Sequence, residues 1–482
     1  MTASKHWYVA DPIYQLVEFG SSGECVRALT AAPSFQRLRR ISQLGLASFV
    51  FPGAVHTRFS HCLGAAHLAS LVAEVLGDAI PPEHAKAIIC SALLHDIGHG
   101  PFSHSFERAL KAILGKRLKH EIWTRKVILD RLAPILAAHG VDADTVCELI
   151  KSQGSLRRLP AHLKEIISSQ LDVDRMDYLC RDAHFTGVTV GQIDVQYLVR
   201  CLRIIQHGSQ QTLRLTTKAV ACYEAFAFAR HVMNRTVYFH KQVATFECMM
   251  EECIRLLAND TSNKFLPEFF VNLHAHVSRS TTTTSDELIR HNINHATEDV
   301  AAVDEYLDSY LALTEDQIWT ALSVRIGDSS PLSMLAQRLL ERRPVRSHRI
   351  AAGKHSILES ELKQGGFTIG QFCIRTMPSS LYEQNSEEQV FVQDDSSKLS
   401  VHISEKSSLL DALRDKPETD AILVIFDDDL RPKIEDVARQ ANCLMSLSER
   451  RSNRPGPSVA KTAPHEIERA SSDVASSTGR EG

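Results

Sequence analysis

A run of ligand-type residues set directly against an apolar helix limits this chain more than any other feature. Ala92-Leu93-Leu94 leads without a break into His95-Asp96-Ile97-Gly98-His99-Gly100-Pro101-Phe102-Ser103-His104. Burying imidazoles and carboxylates at that density without partners would cost several kcal/mol, so a shared ion accounts for them better than coincidence. Three more segments carry the same residue types: His56-Thr57-Arg58-Phe59-Ser60-His61, His120-Glu121, and Leu171-Asp172-Val173-Asp174-Arg175-Met176-Asp177-Tyr178. An adjacent His-Asp pair at a helix end offers an imidazole nitrogen and a carboxylate oxygen to one ion, where the helix C-terminus also favours positive charge. A second imidazole and a second carboxylate from neighbouring helices would complete a His₂Asp₂ set with positions left for water. Such a mixed N/O site suits Mn, Fe, Zn, Ni or Mg rather than a closed structural zinc. Any one of these histidines alone reads as a hydrogen-bonded core or surface residue; their joint occurrence carries the inference.

The chain around these segments reads as helix after helix. Phe35, Leu38, Ile41 and Leu44 recur at three-residue steps before Gly45, and Leu63, Ala66, His67, Leu71 and Val75 keep a near-helical period up to Gly77. Pro82 opens the next helix, and further helices fit 107–114, 121–139, 145–152, 162–180 and 195–204. Residues 219–257 contain few breakers and read as one or two core helices. Thr314-Glu315-Asp316-Gln317 is a capping box ahead of Ile318 and Leu322, and residues 332–340 make a further amphipathic helix. Composition then shifts. Residues 365–369, 389–392 and the apolar run 421–426 read as strands, which predicts a small α+β appendage, and the Ser/Arg/Pro/Gly-rich stretch from Ser448 reads as a disordered tail.

Composition bounds the rest. With 482 residues and 44% apolar content the length alone suggests about three domains of ~150 residues. A net charge of −4 argues against a globally basic nucleic-acid coat. No run of ~18 uncharged apolar residues occurs, which argues against a membrane span, and no signal-type N-terminus is present, so the cytosol is expected. Eleven scattered cysteines, none spaced C-x-x-C, fit reduced thiols rather than a disulfide framework.

The longer strings are specific enough to resemble a family. Asp11-Pro12-Ile13, Phe35-Gln36-Arg37-Leu38-Arg39, Gln43-Leu44-Gly45, Phe51-Pro52-Gly53-Ala54, Arg58-Phe59-x-His61, the His95–His104 string and Asp172-Val173-Asp174-Arg175-x-Asp177-Tyr178 together resemble the deoxynucleoside triphosphate (dNTP) triphosphohydrolases of the HD superfamily. The resemblance covers roughly residues 7–345 and implies a mainly α-helical HD-domain bundle. It divides the chain into an HD catalytic domain (1–260), a helical extension (261–345), the small C-terminal α+β appendage (346–447) and the tail (448–482). No SAM domain is expected ahead of a module that starts almost at the N-terminus.

By the same resemblance, a divalent metal is held by His61, His95, Asp96 and Asp174, and water cleaves the dNTP at the α-phosphate to give deoxynucleoside and intact triphosphate. Arg58 should contact phosphate and His104 should lie beside the α-phosphate as general acid or in-line participant, with His99 and His120 lining the same catalytic pocket to hold phosphates or relay protons. Arg175 stands at a phosphate ligand, Tyr178 and Asp182 at the sugar 3′-hydroxyl, and Gln43 and Leu44 where the deoxyribose is checked. Arg230, Tyr238, His240 and Lys241 match the helix that closes over triphosphate and base. The family tends towards homo-oligomers, and some members take an activating nucleotide. Here Ala31 and Trp7 replace the acidic residue and the lysine that read a guanine activator, so guanine-specific activation does not transfer.

Two other readings remain. An HD-type phosphodiesterase or nuclease acting on single-stranded nucleic acid or a signalling nucleotide would use the same metal set and draw on Arg37, Arg39, Arg40 and the basic residues of 342–349. A nucleotide- or metal-sensing module would have less need of His99, His104 and His120.

Overall fold

The computed structural model describes residues 7–114, 118–150, 159–191, 193–207, 210–280, 306–351, 353–368, 370–377, 390–393, 400–412 and 420–445. The expected tail lies outside the described residues, as do Lys151, Ser152, Ile369 and Gln389 of the expected helices and strands.

The organising element is the 19-residue helix Arg58–Leu76. Gly64, Ala65, Ala66 and Ala69 keep it slim enough to be enclosed on almost all sides, against Pro82–Leu94 and Val173–Thr186. The stretch Arg58–Ala79 is long and apolar enough to cross a membrane by length and composition alone. It is nonetheless a core helix here, 67% of its apolar window being buried. Gly77, at φ +48°, ends it.

Val173–Thr186 begins at Asp172, whose carboxylate accepts from the Arg175 and Ser169 amides at 2.7 and 2.9 Å, and stops at Gly187, φ +76°. That cap divides the expected helix 162–180 in two, with only Ala161–Glu165 helical before it. The expected helix 195–204 likewise ends at Arg200, and the β-branched Ile204 and Ile205 go into the strand Leu202–His207. The segment before Gly45 is a short helix, Pro33–Gln36, and a 3₁₀ turn, Arg37–Arg40, and Gly45 (φ +52°) opens another 3₁₀ turn rather than capping a long helix. Residues 219–257 form two helices, Val220–Met233 and Lys241–Leu257, separated by a π turn at Asn234–Tyr238. The capping box is present as read: Thr314 and Gln317 close the start of Glu315–Ser323.

The sheets are small. An antiparallel hairpin pairs Tyr8–Asp11 with Gln15–Glu18, an element the sequence pattern did not reveal. A second hairpin, Leu202–His207 with Gln210–Thr216, is extended by Phe391–Gln393 and then Ser400–His402, so strands late in the chain complete a sheet begun in its middle. The third sheet places Asp420–Ile425 between Arg346–Ile350 and Phe372–Met377, antiparallel to both. His355–Gln364 and Arg431–Gln440 close a separate small core around Leu358, Phe372, Leu423 and Ile434. Residues 365–368 of the expected strand 365–369 instead leave that first helix through Gly365 and Gly366 (φ +81°), and extended backbone starts at Phe372. The fold is therefore mainly α, with a small α+β part near the C-terminal end of the described chain.

Candidate metal centre

His61 lies in the first turn of the central helix with its side chain fully buried. Its Nδ1 donates to Asp177 Oδ2 at 2.8 Å, which fixes the tautomer and turns Nε2 inward. Asp177 is itself gripped by Arg181, Nε to Oδ2 at 2.9 Å and Nη2 to Oδ1 at 2.8 Å. Arg181 Nη1 continues to Asp11 Oδ2 at 2.9 Å, in the N-terminal hairpin. His95, just past the end of Pro82–Leu94, donates Nδ1 to its own helix at Ala92 O, 2.8 Å, so its Nε2 also points inward.

The two Nε2 atoms face each other at 3.3 Å. Asp174 Oδ1 stands 3.0 Å from His61 Nε2 and 3.5 Å from His95 Nε2. Asp96 adds Oδ1 at 3.5 Å from His95 and Oδ2 at 3.7 Å from His61. Two imidazole nitrogens and the Asp174 carboxylate thus lie close enough together to hold a metal ion, and Asp96 borders this group, presenting a different oxygen to each histidine. The electrostatics agree. Burial disfavours an imidazolium at His61, but the Asp174 and Asp177 carboxylates outweigh it and raise His61 to about 10. Burial alone would protonate Asp96 and Asp174, yet Arg58 and His95 hold Asp96 down, and His95 and His61 hold Asp174 down. A divalent cation bound there would supply the positive charge these carboxylates draw from protons.

A second group stands against the first. His99 Nε2 is 3.3 Å from Asp96 Oδ1, and its ring stacks on His120 with centroids 3.7 Å apart. His120 Nδ1 donates to Glu107 Oε1 at 2.6 Å, and His104 Nδ1 lies 3.4 Å from Glu107 Oε2. The four donors of His99, His104, Glu107 and His120 are also close enough to share an ion. Burial and then the charges of Arg58 and His120 push His99 well below its ordinary value, so its ring is neutral at pH 7. Burial opposes the Glu107 carboxylate, but hydrogen bonds from His104 and His120 outweigh it and hold the group well below the carboxylate range. His104 remains more than half exposed. Sequence reasoning missed Glu107; its signal was the i, i+3 spacing from His104 at a helix start.

The remaining expected residues are spread more widely. Arg58 is buried, donating to Asp96 and, through Nε at 2.9 Å, to Ser103 Oγ, so it braces the metal loop. Asp182 is buried between His56 Nε2 (2.7 Å to Oδ1) and the Tyr238 hydroxyl (2.7 Å to Oδ2). The Tyr178 ring sits 6.0 Å from Tyr238 and 6.5 Å from His61, its hydroxyl pushed up to about 12 by burial against the opposing charges of Arg230 and Arg175. His56, without an assigned role in the sequence, is stacked on Phe185 at 4.6 Å. Gln43 pairs its amide with His56 O at 3.1 Å and keeps a buried Oε1 without a partner among the described residues. Leu44 packs beside Ala47, Ala54 and Val243. Arg175 turns its guanidinium to Ser169 O. His240 caps Lys241–Leu257, accepting from the Gln242 amide, and meets Phe51 edge-on, so its described contacts do not reach the metal donors. Trp7 stacks on Phe19, and Ala31 is the exposed last residue of Gly23–Ala31.

Comparison with known proteins agrees with this geometry. The HD domain model matches residues 58–182, and the HD associated region model matches residues 193–293. An uncharacterized protein of Mycoplasma pneumoniae is 30% identical over 318 residues, 59% of this chain and 75% of the relative. The deoxynucleoside triphosphate triphosphohydrolase SAMHD1 of Gallus gallus is 31% identical over 254 residues, 46% of this chain and 41% of that protein. Most of the curated relatives matched are spanned over about half their length. A crystal structure of a phosphohydrolase from Bacteroides thetaiotaomicron superposes with a TM-score of 0.68 at 26% identity, covering 87% of this chain and 100% of that one. The matched HD segment runs from Arg58 to Asp182 and so contains His61, His95, Asp96 and Asp174; the chain belongs to the HD-domain phosphohydrolase family.

Proposed function

We propose that this chain hydrolyses deoxynucleoside triphosphates to deoxynucleoside and inorganic triphosphate. The observation that carries the reading is the shared wall between the two groups: Asp96 faces the inward nitrogens of His61 and His95 on one side and His99 on the other, 3.3 to 3.7 Å away. A metal-type donor set and imidazoles able to move protons therefore border one space.

His61, His95, Asp96 and Asp174 would hold the divalent ion, with Mn, Mg, Fe, Ni and Zn all compatible with the donors. Such an ion, when bound, makes hydroxide available near neutral pH. Arg58 keeps Asp96 ionised and aimed. His104, exposed and beside Glu107, donates the proton that the departing 5′-oxygen needs. His120 holds Glu107 in place, and neutral His99 lines the pocket. Arg175, Arg230 and Lys241 supply positive charge for a triphosphate. Tyr178, Asp182 and Tyr238 address the sugar, with Gln43 and Leu44 checking its 2′ position. Self-association and work in the cytosol belong to the same reading, and any activating nucleotide would be read without the acidic residue replaced by Ala31.

Product analysis tests this. The metal-free protein, restored separately with Mn²⁺, Mg²⁺, Fe²⁺ or Ni²⁺, is incubated with each dNTP and with all four, and products are separated by ion-pair chromatography. Deoxynucleoside with intact triphosphate is expected. Nucleoside monophosphate, or untouched dNTPs alongside cleaved single-stranded DNA or RNA, would replace this reading with the phosphodiesterase or nuclease one.

A further inference from the structure

The segment that joins the metal ligands to His104 adopts an unusual backbone. Phe102 and Ser103, neither of them glycine, have φ of +58° and +55°. Two consecutive side-chain-bearing residues in the left-handed region persist only where surrounding structure holds them there. His104 starts the next helix immediately afterwards, so the direction of its imidazole depends on this turn.

The restraint comes from far along the chain. Glu315, at the first position of Glu315–Ser323, spends its carboxylate outside its own helix. Oε1 accepts from the Phe102 amide at 3.0 Å and from the Ser42 amide at 2.8 Å, and Oε2 accepts from Ser42 Oγ at 2.6 Å. Ser103 Oγ donates to Ser42 O at 3.1 Å and accepts from Arg58 Nε, closing a ring that reaches Asp96 through Arg58. The same stretch of chain supplies two further restraints. The Tyr310 hydroxyl donates to Gly98 O at 2.7 Å, and Phe102 packs edge-on against Trp319. Ser42 immediately precedes Gln43, so one carboxylate fixes both the turn before His104 and the step before Gln43.

We propose that Glu315 is a positioning residue for the reaction, locking the Phe102–Ser103 turn and the Ser42 step so that His104 and Gln43 face the substrate together. The proposal rests on the role given above to His104 as proton donor. Glu315 touches none of the four metal donors in the described contacts, so its loss acts on alignment rather than on metal uptake. Burial pushes the Glu315 carboxyl upward, and the hydrogen bonds from Ser42 and Phe102 oppose that shift.

Hydrogen exchange read by mass spectrometry over residues 38–46 and 98–106 of the full-length, Mn²⁺-loaded protein tests this, with bound manganese and turnover of the four dNTPs measured on the same samples. Glu315→Ala is expected to speed exchange in both windows about tenfold or more. It should lower kcat by about tenfold to a hundredfold while KM moves less than about threefold, with manganese content unchanged. Glu315→Gln keeps a carbonyl oxygen for both amides and can donate to Ser42 Oγ, so it should stay within about threefold of wild type throughout. Glu315→Asp, one methylene shorter, reads the same claim with an intermediate loss if the alanine variant fails to fold. Unchanged exchange in both windows for the Ala and Asp variants overturns the proposal whatever the substrate proves to be. A Gln variant as impaired as Ala overturns it too, since hydrogen-bond acceptance is then not the cause. A wild type that leaves all four dNTPs intact while Glu315→Ala loosens both windows would sink the substrate reading and uphold the locking role.

Discussion

Asp177 holds no place in the group formed by His61, His95 and Asp174, yet it decides which nitrogen His61 turns towards the other two. Carboxylates behind metal-bound imidazoles commonly govern affinity by 10- to 100-fold. Asp177→Asn should therefore weaken Mn²⁺ binding by about that factor, read by competition with a fluorescent chelator, while far-UV circular dichroism stays the same; undiminished affinity would deny Asp177 this role. Glu165 offers a residue-scale test away from the site. Its Oε2 accepts from the Leu213 amide at 3.1 Å, and burial raises its carboxyl despite that bond and Arg214. An acid raised by folding binds its proton more tightly folded than unfolded. Its contribution is then fully present below the ordinary value of about 4.3 and is lost as pH rises through the folded value. Glu165→Gln should accordingly gain in Tm over wild type as pH climbs from about 4 to about 7; a gap independent of pH would contradict the sign. What the sequence made legible at this scale was the ligand string itself, because His95-Asp96 and Asp174 announce their chemistry by residue type. Behind Asp177, its partner Arg181 and Arg181's second partner Asp11 lie 4 and 166 positions away, and only tertiary structure brings the farther one in.

At the scale of elements, helices were readable where period was unbroken, as at His104–Leu114 and Ala143–Ile150, and their breaks were not. The central helix and the capping box at Thr314 follow directly from spacing. The break at Asp172 and the strand at Leu202 were hidden, since a carboxylate turned back on amides and a hairpin partner outrank local period. The close approach of the central helix to Val173–Thr186 depends on one residue. A methyl group on Gly64 would fall on the Asp177 carboxylate and the Arg181 guanidinium, breaking a buried ion pair that also aims His61. Gly64→Ala should destabilise the protein by about 3 kcal/mol or more, read as a loss in Tm and denaturation midpoint. A variant as stable as wild type would show that the two helices can part without cost.

Across the whole molecule, the site is assembled from pieces remote in sequence. The N-terminal hairpin supplies Asp11, the central helix His61, the loop after Leu94 the His-Asp pair, and Val173–Thr186 the last carboxylate. The 306–323 stretch braces the loop between them from behind. Late strands 391–393 and 400–402 complete the sheet begun at Leu202. Residue periodicity and apolar runs foretold a helical protein with a small sheet-bearing part, but not that such late strands would join a hairpin from mid-chain, because strand pairing leaves no local trace in sequence. The account as a whole turns on where water attacks. Hydrolysis of a dNTP by the manganese-restored protein in H₂¹⁸O, with products analysed by mass spectrometry, measures this directly. Attack at the α-phosphorus predicts one ¹⁸O in the released triphosphate and none in the deoxynucleoside. Label in the deoxynucleoside 5′-hydroxyl, a monophosphate product, or no turnover would contradict it.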